Sequence, residues 1–181
     1  MSRVDRRVQK SQEAIKSAFI ELMSEKNFDQ ITIQDISDRA NVGRRTVYDH
    51  YMDKYDLLDK IIEEHINELR EVCESSIDMS FKDANHIVFG YLERNYSFFS
   101  TMVTSSGAPY FRRRFYEFTV EELNSEIDIT EGINKGLSKD VLLKFFGTAI
   151  VGMFETYFTN EIPVSPQVVA EQMGILLDRN L

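Results

Sequence analysis

The stretch from Ile31 to Leu58, ITIQDISDRANVGRRTVYDHYMDKYDLL, constrains the fold more than any other part of the chain. Its apolar residues recur at helical spacing in two short runs, Ile33, Ile36 and Ala40, then Val47 and Tyr51. Between the runs, Asn41-Val42-Gly43 interrupts the period with residue types that tolerate left-handed backbone conformations. The pattern predicts two short helices joined by a tight turn and followed directly by a longer helix.

The residues outside that apolar stripe are mostly polar or aromatic: Arg44, Arg45, Thr46, Tyr48, Asp49 and His50. A short amphipathic helix with such an exposed side is typical of a helix-turn-helix, whose second helix enters the DNA major groove. Ahead of the first helix, Thr32 and Asp35 are spaced as a capping box, which leaves backbone amides at the helix start. Such a start can hold a phosphate, although most capped helices hold none.

Composition favours helices for the rest of the chain. Only 3 prolines and 8 glycines occur in 181 residues, and 43% of the residues are apolar. These values indicate an all-α protein rather than a sandwich, a barrel or a disordered chain. The single cysteine, Cys73, can form no internal disulfide, and nothing is typical of a signal peptide. We therefore expect a protein of the reducing cytoplasm.

The formal net charge of −9 is unevenly distributed. Residues 1–58 hold 10 Lys and Arg against 10 Asp and Glu, whereas residues 59–181 hold 11 against 20. Four basic residues lie close together at the start of the chain, Arg3, Arg6, Arg7 and Lys10. An acidic body is repelled by phosphates and can orient a basic end toward them. The average charge therefore does not exclude a nucleic-acid partner.

Helical periodicity extends through the remaining chain. It predicts helices over residues 6–24, 55–77, 84–99, 110–127, 138–160 and 165–179. The most apolar, 138–160, is not expected to span a membrane, because Lys144 and Glu155 bracket an uncharged run of only ten residues. Two adjacent apolar helices at the end of a small protein favour a four-helix interface with a symmetry mate. We expect a homodimer formed through 138–160 and 165–179, with no membrane contact.

Three consecutive features resemble the tetracycline-repressor (TetR) family of transcription regulators: an N-terminal amphipathic helix, the run TIQDISDRANV, and the string RRTVYDHYMDKYDLL. The match covers residues 6 to about 60. Less specifically, the ending FFGTAIVGMFETYFTNEIPVSPQVVAEQMGILL resembles the C-terminal region of the branch that contains the dihydroxyacetone kinase regulator. The resemblance implies an all-α fold with an N-terminal three-helix helix-turn-helix domain and a larger C-terminal bundle that forms a dimer. We place these domains at residues 1–54 and 55–181.

The resemblance also implies roles for individual side chains. Bases would be read by Gln34, Arg44 and Arg45, and phosphates held by Thr32, Thr46, Tyr48, His50 and Lys54. The chemistry agrees, because Arg and Gln pair bidentately with guanine and adenine, and Tyr and Lys are common phosphate partners. Two residues depart from the family pattern. Gly43 replaces the usual Ser-like helix cap, and Asp49 stands where many members have a neutral or basic residue.

Several other patterns have an ordinary structural interpretation that we favour. Glu64, His65 and Glu68 share one helical side without a further ligand, so a solvated face is preferred over a metal site. Cys73 is expected to be a partly buried thiol rather than a redox sensor. The run from Arg112 to Arg114 is expected to be a solvated face rather than a recognition site. No catalytic triad, phosphate loop or carboxylate pair is recognisable, and we predict a non-enzyme with no cofactor or metal.

The aromatic and Met residues of the second domain can form either a solid core or a ligand pocket. Because similar bundles in the family frequently enclose effectors, we predict a pocket, lined by Tyr91, Phe99, Met102, Phe115, Phe118, Phe146 and Met153. The prediction is thus a homodimeric regulator, more specifically a repressor, that binds an inverted repeat in double-stranded DNA and is modulated by a small molecule. The alternative is a coactivator or other protein-interaction regulator without an effector pocket.

Overall fold

The structure is a computed structural model that describes residues 3–76, 78–105 and 108–181. Over these ranges the chain forms nine α-helices and one short 3-10 helix, with no strand, which confirms the predicted all-α class. The chain divides into two compact units, Met1–His65 with Thr104–Gly107, and Ile66–Val103 with Ala108–Leu181. We call them the N-terminal unit and the C-terminal unit.

The helices are α1 (Arg3–Glu25), α2 (Ile33–Arg39), α3 (Arg44–Tyr48), α4 (Lys54–Glu74), α5 (Phe81–Arg94), α6 (Tyr96–Thr104), α7 (Ala108–Glu126), α8 (Lys139–Phe158) and α9 (Pro166–Asp178), with the 3-10 helix at Phe28–Gln30. The prediction of a single helix over residues 84–99 is wrong. Within that range α5 ends at Arg94 and α6 begins at Tyr96. Asn95 leaves helical geometry at φ −111° and ψ 27°, and its side-chain amide donates to the Tyr91 carbonyl at 3.1 Å. A local side-chain hydrogen bond of this kind competes with helix continuation.

The N-terminal unit holds its short helices against α1. The buried stripe of α1 includes Ile15, Phe19 and Leu22, none more than 6% exposed. Arg39 at the end of α2 forms a bidentate ion pair with Glu25, at 2.8 and 2.6 Å. Because α2 is only seven residues long, we attribute its stability to this packing and pairing rather than to helix propensity.

The C-terminal unit is organised around aromatic rings from α6, α7 and α8. Phe99 is fully buried and lies 6.1 Å from Phe111, 5.7 Å from Phe154 and 5.8 Å from Phe158, measured between ring centroids. Elsewhere in this unit, α5 and α9 approach so closely that a Cβ atom on Gly174 would lie 2.3 Å from the Lys82 Cα. Only glycine fits at that crossing.

Among the described helices, α8 is the one long and apolar enough to cross a membrane, judged by length and composition alone. This criterion is weak for a single helix, because the core helix of a soluble protein also meets it. In α8 the buried residues Leu142, Phe146 and Phe154 pack inside the C-terminal unit, while Lys144 and Glu155 interrupt the apolar run.

Candidate nucleic-acid interface

The start of α2 is fixed by the predicted capping box, which the structure confirms. The amide and hydroxyl of Thr32 donate to the Asp35 carboxylate at 2.7 and 2.6 Å, and the Asp35 amide donates back to the Thr32 hydroxyl at 3.2 Å. The Thr32 hydrogen bonds, with help from Lys26 at 3.0 Å, lower the pKa of Asp35 to about 2. Thr32 is exposed, but its donors are engaged by Asp35.

The turn between α2 and α3 uses one left-handed residue. Asn41 has φ 52°, and the Val42 amide donates to the Ser37 carbonyl at 3.0 Å, which closes the corner. Gly43 instead has φ −71° and ψ 145°, a conformation that any residue can adopt. It stands at the N-cap of α3 without a side-chain cap, as the sequence predicted.

Helix α3 presents the residues of the predicted recognition helix on one exposed side. Val47 is fully buried beneath it, whereas Tyr48 is 51% exposed. Arg44 and Arg45 are exposed, and neither forms an ion pair with any residue that the structure describes. Two free guanidinium groups beside an exposed phenol are chemically suited to base edges and phosphates.

The flanking predicted contacts are less exposed. Thr46 and His50 are half-buried, and the His50 ring stands edge-on to Tyr51 with 6.1 Å between the centroids. Burial raises the pKa of Tyr51 to about 12, so its hydroxyl stays neutral. Asp49, one of the two departures from the family pattern, is exposed at the end of α3.

Gln34, predicted to read a base, is exposed on α2. Its side-chain amide donates to the Asp38 carboxylate at 2.7 Å, one helical turn further on. An adenine contact would have to replace that hydrogen bond, or use the Gln34 side-chain oxygen as an acceptor.

Lys54 is placed differently from a free phosphate ligand. Its ammonium group donates to three backbone carbonyls, those of Phe28, Asp29 and Ile31, at 2.9, 2.9 and 3.0 Å. It also lies 4.8 Å from the centroid of the Phe28 ring. An ammonium group has three hydrogens, and all three are used here. The phosphate contact of Lys54 therefore stays a prediction, while its role in holding the connector 28–31 is visible.

A basic hollow of about 420 Å³ lies between α1 and the helix-turn-helix turn. Arg6, Arg7 and Lys10 line it together with Val42 of the turn. The sequence drew attention to these basic residues but assigned them no contact. Their proximity to the turn depends on how α1 packs on α2, which residue spacing within α1 does not reveal. The side chain of Arg3 lies outside the described residues.

The residues predicted to line a ligand pocket lie in the core of the C-terminal unit. Six of them are at most 9% exposed, namely Tyr91, Phe99, Met102, Phe115, Phe118 and Phe146. The seventh, Met153, is half-buried. Phe115 and Phe154 stand 4.3 Å apart between centroids, and the Tyr91 hydroxyl donates to Glu68 at 2.9 Å. These rings and groups contact one another, and a pocket made by the predicted residues remains a prediction.

Other candidate groups have structural partners. Glu64 pairs with Lys16 at 2.6 Å, and Arg112 pairs with Glu155 at 2.6 Å. Among the described residues, no group of three or more His, Cys, Asp or Glu side chains could hold a metal ion. Burial raises the pKa of the Cys73 thiol to about 12, so a reactive thiolate is not favoured.

Comparisons with known proteins agree with this geometry. Residues 15–61 match the family described as bacterial regulatory proteins, tetR family. Residues 79–179 match a TetR C-terminal family described as transcriptional regulator C-terminal region. Over 85 residues the chain is 36% identical to the uncharacterized HTH-type transcriptional regulator YxbF of Bacillus subtilis (strain 168). That match covers 45% of this chain and only 22% of YxbF.

Solved structures have the same fold along nearly the whole chain. A TetR transcriptional regulator from Streptococcus agalactiae 2603V is 24% identical, with a TM-score of 0.70 and coverage of 96% of both chains. The dihydroxyacetone kinase operon activator DhaS is 20% identical, with a TM-score of 0.64, covering 94% of this chain and 96% of DhaS. TetR regulators bind DNA, function as dimers and are not enzymes. The recognition helix and the family matches over both parts of the sequence show that this chain belongs to the TetR family of DNA-binding transcription regulators.

Proposed function

We propose that the protein is a cytoplasmic repressor that binds an inverted-repeat operator as a homodimer and responds to a small molecule. The observation that carries the DNA-reading part is the pair of exposed side chains at the start of α3, Arg44 and Arg45, which form no ion pair within the part of the chain that the structure describes. By contrast, Arg39, Arg70 and Arg112 are paired with glutamates. Arginines left without an internal partner are available to an external one.

In the proposed complex, Arg44 and Arg45 take guanine edges and Gln34 an adenine edge in the major groove. Phosphates are held by Thr32, Thr46, Tyr48, His50 and, where it leaves its carbonyls, Lys54. The basic hollow formed by Arg6, Arg7 and Lys10 extends this surface with non-specific phosphate attraction. The two recognition helices of a dimer would be about one DNA turn apart, roughly 34 Å, or somewhat more.

We assign DNA binding to residues 1–54 and dimerisation with effector response to 55–181. Helix α4 begins with Lys54, whose side chain holds the connector of the N-terminal unit, and its later residues belong to the C-terminal unit. One continuous helix is therefore shared by the two functions. An effector can act through it only if it binds two arrangements of the dimer with different affinity.

For the dimer we propose the exposed apolar face of α8 and α9. Val141 and Phe145 on α8 are each 66% exposed, and Leu176 on α9 is 58% exposed. Val141, Phe145, Thr148 and Ala149 border one apolar surface hollow of α8. Exposed apolar surface at helical spacing is characteristic of interfaces between protein chains.

The experiment that tests the proposal is selection of DNA from a random library by the full-length protein, followed by binding titrations on the selected sequence. We expect an inverted repeat. Arg44→Ala should weaken binding by about 1–3 kcal/mol and relax the preference at one base position. Arg113→Ala is the matched control. It makes the same change in charge at an exposed position of α7 and should leave DNA affinity unchanged. Selection of no DNA sequence, or equal losses for both variants, would refute specific recognition by α3.

The dimer face has a separate test. Phe145→Lys should shift the protein toward monomers in sedimentation experiments and weaken operator binding with it. Ile133→Lys is the control, since Ile133 is 69% exposed in the loop before α8. Monomers from both variants, or from neither, would argue against the α8 face.

A second candidate is a regulator that acts through a protein partner and has no effector pocket. The observation in its favour is the packed aromatic core at the residues predicted to form the pocket. A defined partner recovered with the full-length protein, together with no ligand-induced rise in melting temperature over a metabolite panel, would support it over the first proposal.

A further inference from the structure

A cavity of about 320 Å³ lies in the C-terminal unit among the last turn of α4, the first half of α5 and the end of α7. Its apolar wall includes Phe81, Ala84 and Val88 from α5 and Leu123 from α7. This volume lies within the range of small-molecule sites, which is about 300–1,000 Å³. None of the seven residues predicted from the sequence lines it. The cavity is thus a different place from the predicted pocket.

The charged residues of the lining are all acidic. Glu74 from α4 and Glu122 and Glu126 from α7 border the cavity, and among the described residues of the lining there is no Lys or Arg. Arg70 lies behind them and is divided between Glu122 and Glu121, each at 3.0 Å. One guanidinium therefore faces four carboxylates in this region, and an excess of negative charge remains.

The electrostatics of Glu122 point the same way. Burial raises the pKa of Glu122, and the carboxylates of Glu74, Glu121 and Glu126 raise it further, against the opposing effect of Arg70. The ionised form is therefore incompletely compensated by the protein. A cation placed in the cavity would supply the missing compensation.

The neutral polar groups of the lining use most of their donors within the protein, and one hydrogen of the Asn85 amide remains for a ligand. The Ser76 hydroxyl donates to the Val72 carbonyl at 2.9 Å, and the Ser125 hydroxyl to the Glu122 carbonyl at 2.8 Å. The Asn85 amide donates to the Phe81 carbonyl at 2.9 Å. A carboxylate or phosphate ligand would meet three carboxylates against one remaining amide hydrogen, so the charge of the lining disfavours anions.

We infer that this cavity binds a small organic cation with an apolar body, such as an alkylammonium ion. Its positive group lies among Glu74, Glu122 and Glu126, and its alkyl part packs on Phe81, Ala84 and Leu123. The role of this ligand as an effector rests on the regulator proposed above, whereas the binding site itself does not.

The binding test is calorimetric titration of the full-length protein with octyltrimethylammonium, below its micelle-forming concentration. Three probes dissect the recognition: tetramethylammonium has the charge without the chain, 1-octanol the chain without the charge, and octanoate the chain with the opposite charge. We expect one octyltrimethylammonium per chain, bound at least about tenfold more tightly than each of the others. Absence of binding, or equal binding of octanoate, would overturn the inference.

Matched variants locate the site. Glu122→Gln removes one cavity charge and should weaken octyltrimethylammonium binding about tenfold, as expected for a partly buried charge contact. Ala84→Leu fills the cavity and should abolish binding. Glu117→Gln, which removes an exposed charge of α7 outside the cavity, should have no effect. Equal losses from Glu117→Gln and Glu122→Gln would show general attraction to the acidic surface instead.

If a variant fails to fold, the site can still be tested on the unaltered protein. The only cysteine, Cys73, lines the cavity, so mass spectrometry can follow its alkylation by a small thiol reagent. Saturation with octyltrimethylammonium should slow that alkylation severalfold. An unchanged alkylation rate at saturation would place the cation elsewhere and overturn the assignment.

The experiments can reject the binding site and its regulatory role independently of each other. If octyltrimethylammonium binds in the cavity but operator affinity does not change, the cation site stands and its role as an effector site is rejected. If operator affinity changes equally in the wild type and in Ala84→Leu, the responsive site lies elsewhere and the inference about this cavity is rejected.

Discussion

The surface around α3 and the start of α4, in the N-terminal unit, and the aromatic core of the C-terminal unit use the same residue types in opposite ways. In the N-terminal unit, Tyr48 and Tyr55 are 51% and 60% exposed, and Arg44 and Arg45 have no ion-pair partner among the described residues. In the C-terminal unit, Phe99 is fully buried, and Arg70 and Arg112 are paired with glutamates. The two tyrosines and two arginines of the first surface are thus exposed to external partners, whereas Phe99, Arg70 and Arg112 contribute their contacts to the fold.

This difference indicates where binding and stability can be separated. A side chain without an internal partner contributes little to folding, so replacing it changes an external contact first. A ring packed among other rings contributes mainly to folding, so its replacement changes stability first. Any ligand that the C-terminal unit binds must then occupy space that the core leaves open, such as the cavity at the end of α7.

The largest expected effect is that of Phe99→Ala. The side chain is fully buried among five other aromatic rings, and its loss should lower the free energy of unfolding by about 3–5 kcal/mol. Urea denaturation followed by circular dichroism measures it. Tyr48→Ala is the contrasting aromatic deletion and should cost less than about 0.5 kcal/mol while weakening operator binding. Equal stability losses from the two changes would break the comparison.

The next largest effect is expected for Lys54→Met. The sequence predicts that Lys54 binds a phosphate, whereas in the structure its side chain holds the connector 28–31. Loss of the three carbonyl contacts should lower the free energy of unfolding by about 1.5–3 kcal/mol, the range for hydrogen bonds to a charged group. Thermal denaturation measures this change. The slope of operator affinity against salt concentration should be the same for Lys54→Met as for the wild type.

The control for this prediction is Lys10→Met, on the exposed face of α1. It should leave the melting temperature unchanged and reduce the salt slope by about one, as expected for a lost phosphate contact. If Lys54→Met behaves as Lys10→Met does, the sequence-based phosphate contact is correct and the carbonyl contacts yield to DNA.

The contrast between the units also explains what the sequence could predict. The helix-turn-helix depends on local spacing, and Val47, Tyr51 and the Thr32–Asp35 cap are where that spacing puts them. The availability of Arg44 and Arg45 follows from the same local pattern. Lys54 was less predictable, because its partners lie 23 to 26 residues earlier in the chain.

In the C-terminal unit, periodicity predicted the helices but not their mutual packing. An aromatic stripe has the same spacing whether its rings enclose a ligand or touch one another, so Phe99 and Phe115 gave no means to choose. The cavity is lined by residues from the ends of three helices, among them Glu74, Ala84 and Glu122. Their proximity is a property of tertiary contacts. The break at Asn95 was missed because a single polar residue does not disturb helical periodicity.

Asp35→Asn should have a moderate effect on the N-terminal unit, about 1 kcal/mol at neutral pH, because it removes the carboxylate of the capping box. The pKa of Asp35 is lowered to about 2 from 3.8, so the folded state favours its ionised form. That stability is present above about pH 4 and is lost as the pH falls toward 2. Unfolding free energies of wild type and variant should therefore converge over this window. Asp38→Asn, on the same helix but outside the capping box, is the control for the loss of one negative charge.

Gly43→Ser is expected to have the smallest effect and tests how firmly α3 is formed before DNA arrives. The backbone at φ −71° and ψ 145° admits any residue, and a Cβ would stand 3.9 Å from the Thr46 hydroxyl oxygen. A serine cap should stabilise the protein by a few tenths of a kcal/mol in thermal denaturation. Gly43→Ala, which restricts the unfolded chain without adding a cap, separates that part of the gain.

Operator affinity then shows whether α3, which lacks a side-chain cap, is fully formed before DNA binds. If α3 is fully formed in the free protein, Gly43→Ser should change affinity by less than about twofold, because a cap worth a few tenths of a kcal/mol has no folding cost left to reduce. A larger gain for Gly43→Ser than for Gly43→Ala would show that DNA binding includes the ordering of α3. The exposed side of the N-terminal unit would then owe its availability to a helix that is completed only on the operator, and the two units would differ in order as well as in exposure.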